Sequence, residues 1–205
     1  MKKILIISLL LLSTWMSAGA VDLNKENRDP KYVESIINRS QKIVDKLGLT
    51  DKQVAEDVRN IIANRYFELN DIYEIRSVME GLCAKWAAKK ATPEQIEELE
   101  EIVYLTEFHV SKGHSSQVFE LDNKFHETLY QASGSKVLAG VLTDFHNYVQ
   151  RARKSSIVSE ERARKSIREH RQILRAIKDR DAEMAEQLAN EHIIHVMQNL
   201  KKQGY

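Results

Sequence analysis

The chain has 205 residues, with 31 Lys+Arg against 30 Asp+Glu, seven His and one Cys. That length holds one domain or two small ones and hides about two-thirds of the unfolded surface. Seven Gly and two Pro exclude turn-dense all-β folds, collagen and Pro/Gly-rich disorder, the net charge of +1 speaks against a general polyanion binder, and a lone Cys83 excludes a disulfide framework.

Lys2 and Lys3 precede an apolar run from Ile4 to Leu12, broken only by Ser8, and the small residues Ala18-Gly19-Ala20 follow. This three-part pattern predicts a secretory signal peptide over residues 1–20. The apolar run is shorter than the roughly 20 residues that cross a bilayer.

From Asp29 onward the periodicity predicts consecutive helices. Asp29-Pro30 joins a capping side chain to Pro at the first helical position, and Gly48 closes that helix. Thr50 is the expected cap of a second, with Val54, Val58, Ile61, Ile62 and Tyr66 on one side. A third is expected from about Asp71 to Lys90, and Thr92-Pro93 starts a fourth that Gly113 ends. A fifth covers about Ser116 to Ala132, and Ser133-Gly134-Ser135 stops it. A sixth runs from Lys136 to about Lys154. Ser159 is placed to cap a seventh, Asp179-Arg180-Asp181 breaks it, and an eighth runs to about Leu200. No strand with period-two alternation is present, so the fold class expected is all-α.

Residues 21–70 form an N-terminal helical segment with balanced charge. Leu47 to Glu56 has the outline of a helix-turn-helix turn, but a capped helix after a Gly stop looks the same. Without a basic excess the segment lacks the charge that supplies affinity for DNA.

Polar side chains on three apolar stripes carry the functional signal. In the fifth helix Val118, Leu121, Phe125 and Leu129 form the inward stripe, and Asp122 and His126 lie on it, four apart and so neighbours. His170 falls among Ile167, Leu174 and Ile177, and His192 among Met184, Leu188 and Val196. A buried carboxylate costs several kcal/mol unless paired or metal-bound. One divalent cation would satisfy all four residues. Folding back at residues 179–181 brings His170 and His192 to similar heights, within about 3 Å at 1.5 Å rise per residue. Asp plus three His suits zinc, nickel or manganese with coordination positions left open. A single His on an apolar face is ordinarily a hydrogen-bonded core residue; four such residues on three stripes argue for a shared partner. His195 and His146 are the rival ligands, and His109 and His114 flank Gly113 in an expected solvated loop.

Several motifs in this part of the chain occur together in a known family. They are Tyr73-Glu-Ile-Arg76 with Met79-Glu-Gly-Leu, Ala91-Thr-Pro-Glu with Glu97-Glu-Leu-Glu, Leu121-Asp-Asn-Lys-Phe-His126, Ala132-Ser-Gly-Ser, Glu169-His170-Arg-Gln-Ile-Leu, and Arg180-Asp-Ala-Glu with Asn190-Glu-His192. In order and spacing they resemble the FCD domain, the C-terminal effector-binding domain of GntR-type transcription regulators. The resemblance implies an antiparallel helical bundle over residues 71–205 that binds a small carboxylate effector, with a divalent metal ion held by Asp122, His126, His170 and His192. It also implies that Arg76, on the face of Ile72, Met79 and Cys83, contacts the effector's carboxylate. Guanidinium and carboxylate pair through two parallel hydrogen bonds. Arg151 and Arg153 are weaker candidates for that role. In such regulators effector binding shifts a dimer between DNA-binding states, so a homodimer is implied.

The winged helix-turn-helix that opens those regulators has no counterpart in residues 21–70. That segment instead resembles an uncharacterised family of exported bacterial proteins, through Asp29-Pro-Lys-Tyr-Val, Ile43-Val-Asp-Lys-Leu-Gly-Leu-Thr and Asn64-Arg-Tyr-Phe-Glu-Leu-Asn-Asp-Ile. The chain therefore reads as a chimera, from which DNA binding is not expected. Its start implies export, whereas the regulator resemblance implies the cytoplasm. Two other readings compete with the sensor: an exported helical protein with the bundle as scaffold, and a metal-dependent hydrolase. The hydrolase needs a general base beside the metal. No His-Glu-x-x-His motif supplies one, and Glu169 and Glu191 are expected to point off the ligand face.

Overall fold

A computed structural model of the chain describes residues 28–156 and 160–203, the side chains of 151–156 excepted. Seven α-helices and no strand occur among the described residues. The expected signal peptide, the Ser159 cap and the Arg151 and Arg153 side chains lie outside what is described. The chain divides into two units, one ending at Phe67 and one starting at Glu68.

In the first unit α1 spans Pro30–Leu47. Asp29 Oδ1 accepts the backbone N–H of Lys31 at 2.7 Å and of Tyr32 at 3.1 Å, as a cap should. Gly48 closes the helix at φ 62°, where a side chain would be strained. The next helix, α2, spans Lys52–Lys90. Its cap is Asp51, not Thr50: Asp51 Oδ1 accepts from Gln53 N at 2.8 Å and Val54 N at 3.1 Å. Val33 and Ile36 on α1 pack with Ala63 and Phe67 on α2 to form this unit's small core.

The sequence predicts a break before Asp71, but α2 runs through it without interruption. No Gly or Pro stands between residues 64 and 80, so nothing stops the backbone ladder. Asn70 donates its side-chain amide to Glu74 Oε1 at 2.7 Å, one turn on, within the continuous helix.

The second unit comprises the rest of α2 and five further helices: α3 (Pro93–Ser111), α4 (Ser115–Ala132), α5 (Lys136–Ser156), α6 (Glu160–Lys178) and α7 (Ala182–Gln203). They form an antiparallel bundle. α3 packs on α4 and α6, α6 on α7, and α5 on both α4 and α7. Thr92 and Gln95 make a full capping box at the start of α3. The main core gathers Cys83, Leu99, Ile102, Phe125, Leu129, Leu142, Ile173 and Ile177, and a smaller one holds Tyr73, Val149, Ile193, Val196 and Leu200.

Two features set the register of α2, α6 and α7. A Cβ at Gly81 would stand 3.0 Å from the Glu186 carbonyl oxygen, so Gly suits the close approach of α2 to α7, and a larger residue would press the two backbones apart. The second is the turn at residues 179–181. Arg180 takes φ 59°, Arg180 N–H bonds Ile177 O at 3.1 Å, and Asp181 N–H bonds Ala176 O at 2.9 Å, which is a Schellman closure. Asp181 Oδ1 then accepts Met184 N at 3.0 Å and caps α7. The Arg180 guanidinium donates to Ala88 O and Ala91 O at 3.1 and 3.0 Å, so it also caps the end of α2.

Candidate metal and effector site

α4 presents Asp122 and His126 to the interior one turn apart, α6 presents His170, and α7 presents His192; all four are buried. One ring nitrogen from each of His126, His170 and His192 lies within 4.8 Å of the others. His170 Nε2 and His192 Nε2 are 3.3 Å apart, and His170 Nε2 is 3.8 Å from Asp122 Oδ1. Asp122 thus borders the cluster through His170, outside the group of three. The Phe125 ring stacks on His170 at 4.0 Å between centroids and fixes its plane.

Two buried carboxylates orient these rings. His126 Nδ1 is 2.9 Å from Glu80 Oε2, and His192 Nδ1 is 2.8 Å from Glu169 Oε2. Burial pushes the Glu80 carboxyl up, but Arg76 and His126 outweigh it and hold Glu80 well below the usual carboxylate range. Burial likewise opposes the charge on Glu169, yet the hydrogen bond and charge of His192, then Arg162, bring it down to about 2. An ionised carboxylate only accepts. Each imidazole therefore donates its Nδ1 proton to the carboxylate behind it, which leaves Nε2 as the ring nitrogen that can serve the cluster.

Arg76 is fully buried. It donates Nε to Glu80 Oε1 at 3.0 Å and Nη2 to the same oxygen, while Tyr130 Oη donates to that oxygen at 2.9 Å. Burial disfavours its charge, but Glu80, then the Tyr130 and Tyr73 hydroxyls, raise its pKa above the ordinary value. Arg76 Nη1 is buried and has no hydrogen-bond partner.

The other histidines separate cleanly. His195 is 35 % exposed in its side chain and contacts Glu169 Oε1 at 2.9 Å, so it backs the carboxylate and lies outside the cluster. His146 is buried with Nε2 2.9 Å from Asn123 Oδ1, and it too falls outside the group of three. His109 and His114 pair with each other at the end of α3, Nδ1 to Nδ1, at 3.1 Å.

Two expectations from the sequence are corrected. Glu169 does not point off the ligand face; it is buried and takes Arg162, His192 and His195. α6 and α7 pack so closely that its carboxylate reaches across to α7. Met184, placed on the inward stripe, is 44 % exposed, because Ala185 and Ala189 form the buried edge of α7. Glu80 stands in the Met79-Glu-Gly-Leu motif, but sequence reasoning gave it no role. Its one signal was the four-residue spacing from Arg76 on a shared face.

Three buried imidazoles this close, two of them held at Nδ1 by carboxylates behind them, could hold a divalent metal ion. The FCD domain family matches residues 71–195. The chain belongs to the FCD domain family. FCD domains are the effector-binding domains of GntR-type regulators, they bind small molecules, and many bind metals. The chain is 26% identical over 170 residues to the uncharacterized HTH-type transcriptional regulator YdhC of Bacillus subtilis (strain 168), covering 82% of this chain and 75% of that one. It is 23% identical over 128 residues to the HTH-type transcriptional repressor RspR of Escherichia coli (strain K12), covering 62% of this chain and 56% of that one. The chain therefore spans little more than half the length of RspR. Among solved structures, E. coli McbR/YncC superposes with TM-score 0.61 at 20% identity over 66% of this chain and 68% of that one, a likeness of fold. Streptococcus agalactiae GntR gives TM-score 0.53 at 25% identity over 62% of this chain and 57% of that one. YdhC and RspR are named as regulators of transcription. No helix among the described residues is long and apolar enough to cross a membrane.

Proposed function

We propose that the FCD domain of this chain senses a small organic acid with the help of a divalent metal ion. His126, His170 and His192 would hold the ion, with Asp122 as fourth ligand. Zinc, nickel and manganese all accept such a set, and the bound ion supplies open positions for carboxylate or hydroxyl oxygens. The observation that carries the reading is the pair of hydrogen bonds from Nδ1–H of His126 and His192 to buried carboxylates, beside three imidazoles gathered in one small buried space. Arg76 supports it independently. A buried guanidinium nitrogen without a partner is costly, and an effector carboxylate would satisfy it.

Regulation of transcription is the output the relatives' names indicate. DNA contact by this chain is not part of the reading, because residues 21–70 balance nine basic against nine acidic residues.

Elemental analysis of the purified chain tests the metal, and titration calorimetry with a panel of di- and tricarboxylates tests the acid. Stoichiometric metal is expected in the native chain and its loss in His170→Ala. A chelator should abolish acid binding, whereas His195→Ala should leave both intact. Acid binding indifferent to the chelator, or no metal retained after zinc, nickel and manganese are each offered, would overturn the proposal.

A further inference from the structure

A second polar cavity lies away from the central cluster. It is a cleft of about 310 Å³ between the first half of α6 and the last half of α7. That volume is at the lower end of the range for small-molecule sites. Every residue lining it is polar or charged. Four cations stand on its walls, Arg162, Lys165, Arg168 and Lys202, against the single acid Glu161. Such an excess is local, since the whole chain carries 31 basic and 30 acidic residues.

The cations fall into two sets. Arg162 is buried and grips Glu169 with both terminal nitrogens, at 3.0 and 3.1 Å to Oε2. Lys165 Nζ reaches the same carboxylate at 3.9 Å. This set forms a floor that Glu169 partly neutralises. Arg168 and Lys202 are exposed and have no acidic partner among the described residues. Two unpaired cations beside a polar, concave, partly neutralised floor attract an anion more strongly than isolated surface charges do, because the low-dielectric walls focus the field.

We infer that this cleft binds the phosphate group of a small metabolite. Arg168 would offer a planar fork matched to two phosphate oxygens, Lys202 and Lys165 would add point charges, and His195 and polar wall residues would add hydrogen bonds. A flat polyanion such as duplex DNA fits less well, because the cationic groups line a concavity between two helices rather than a ridge.

The test is calorimetric titration of inorganic pyrophosphate into the purified full chain, freed of metal by chelator, at constant ionic strength. Saturable one-to-one binding is expected. The double variant R168A/K202A should weaken it about tenfold, as befits two lost charge-assisted contacts. Glu161→Gln should strengthen it about twofold by removing the opposing charge. All three positions are exposed, so circular dichroism should show each variant folded. Absence of saturable binding, or binding unmoved by R168A/K202A, would overturn the inference. Pyrophosphate binding lost in His170→Ala but retained in R168A/K202A would place the anion at the central cluster and overturn it equally. Failure of the metal proposal leaves this test untouched, since it is run without metal.

Discussion

Replacing Glu80 with Gln tests the central cluster where it is most constrained. Glu80 accepts four hydrogen bonds, two from Arg76, one from Tyr130 and one from His126, and only 1 % of its surface is exposed. Gln is isosteric but neutral, so the buried Arg76 charge loses its counter-ion. Breaking a buried pair from one side costs about 3–5 kcal/mol. For a chain of this size about 1 kcal/mol moves the midpoint by roughly 2–4 °C, so a drop in Tm on the order of 10 °C is expected. The amide NH2 of the new side chain would face His126 Nδ1 and donate to it. The imidazole proton would then move to Nε2, the nitrogen the cluster needs free. Metal affinity should fall about 10- to 100-fold, the usual effect of losing an orienting partner. Thermal unfolding followed by circular dichroism reads the first effect, and competition against a chromophoric chelator reads the second. Asn123→Ala, which removes the partner of His146, is the comparison and should leave metal affinity unchanged. Glu80→Gln with native Tm and native metal affinity would refute the claim that the Arg76–Glu80–His126 chain organises the site.

Three further outcomes follow from the packing. Burial, then the nearby Glu80 charge, push the Cys83 thiol up to about 12 against a weaker opposing bond to Ser133, so native protein at about pH 8 should resist iodoacetamide and take up one equivalent when unfolded in guanidinium; equal native and unfolded rates by mass spectrometry would contradict its place in the core. Arg180→Ala should destabilise by about 2 kcal/mol, through two lost carbonyl caps, and Arg180→Gly by about 1 kcal/mol less, because Gly accepts positive φ freely; chemical denaturation would show the order reversed if the turn carried no strain. Glu169 titrates at about 2 in the folded chain against about 4.3 when unfolded, so its contribution is complete above about pH 5 and is lost as pH falls toward 2. Glu169→Gln should flatten the acid limb of Tm against pH, and an unchanged limb would show the carboxylate to be unpaired in solution.

The three histidines were legible because each breaks an apolar stripe at helical spacing. A stripe tells which face is buried, and a polar residue on it must find a partner. Their carboxylate partners were not legible for a related reason. Glu80 lies on α2, 46 residues before His126, and nothing local to either says that the two helices meet. Glu169 sits next to His170 in sequence yet serves His192 on the next helix. Its neighbours along the chain mark it as an off-face residue, and only the α6–α7 contact reverses that. Helix starts were read well where a side chain caps its own backbone, as at Asp29 and Thr92. They were misread where two capping types stand side by side, as Thr50 and Asp51 do, and at Asp71, where the helix simply continues.

Local chemistry thus settled which segments are helical, which faces are apolar, and which imidazoles go inside, because caps, periodicity and burial act within a turn or two of chain. Packing decided the rest. Proton positions on His126 and His192, full burial of Arg76, and the meeting of Arg162 with Lys202 around one cleft all depend on which helix lies against which. That choice is made by close approaches such as Gly81 on Glu186 and by the Arg180 turn, whose partners are about a hundred residues apart in the chain.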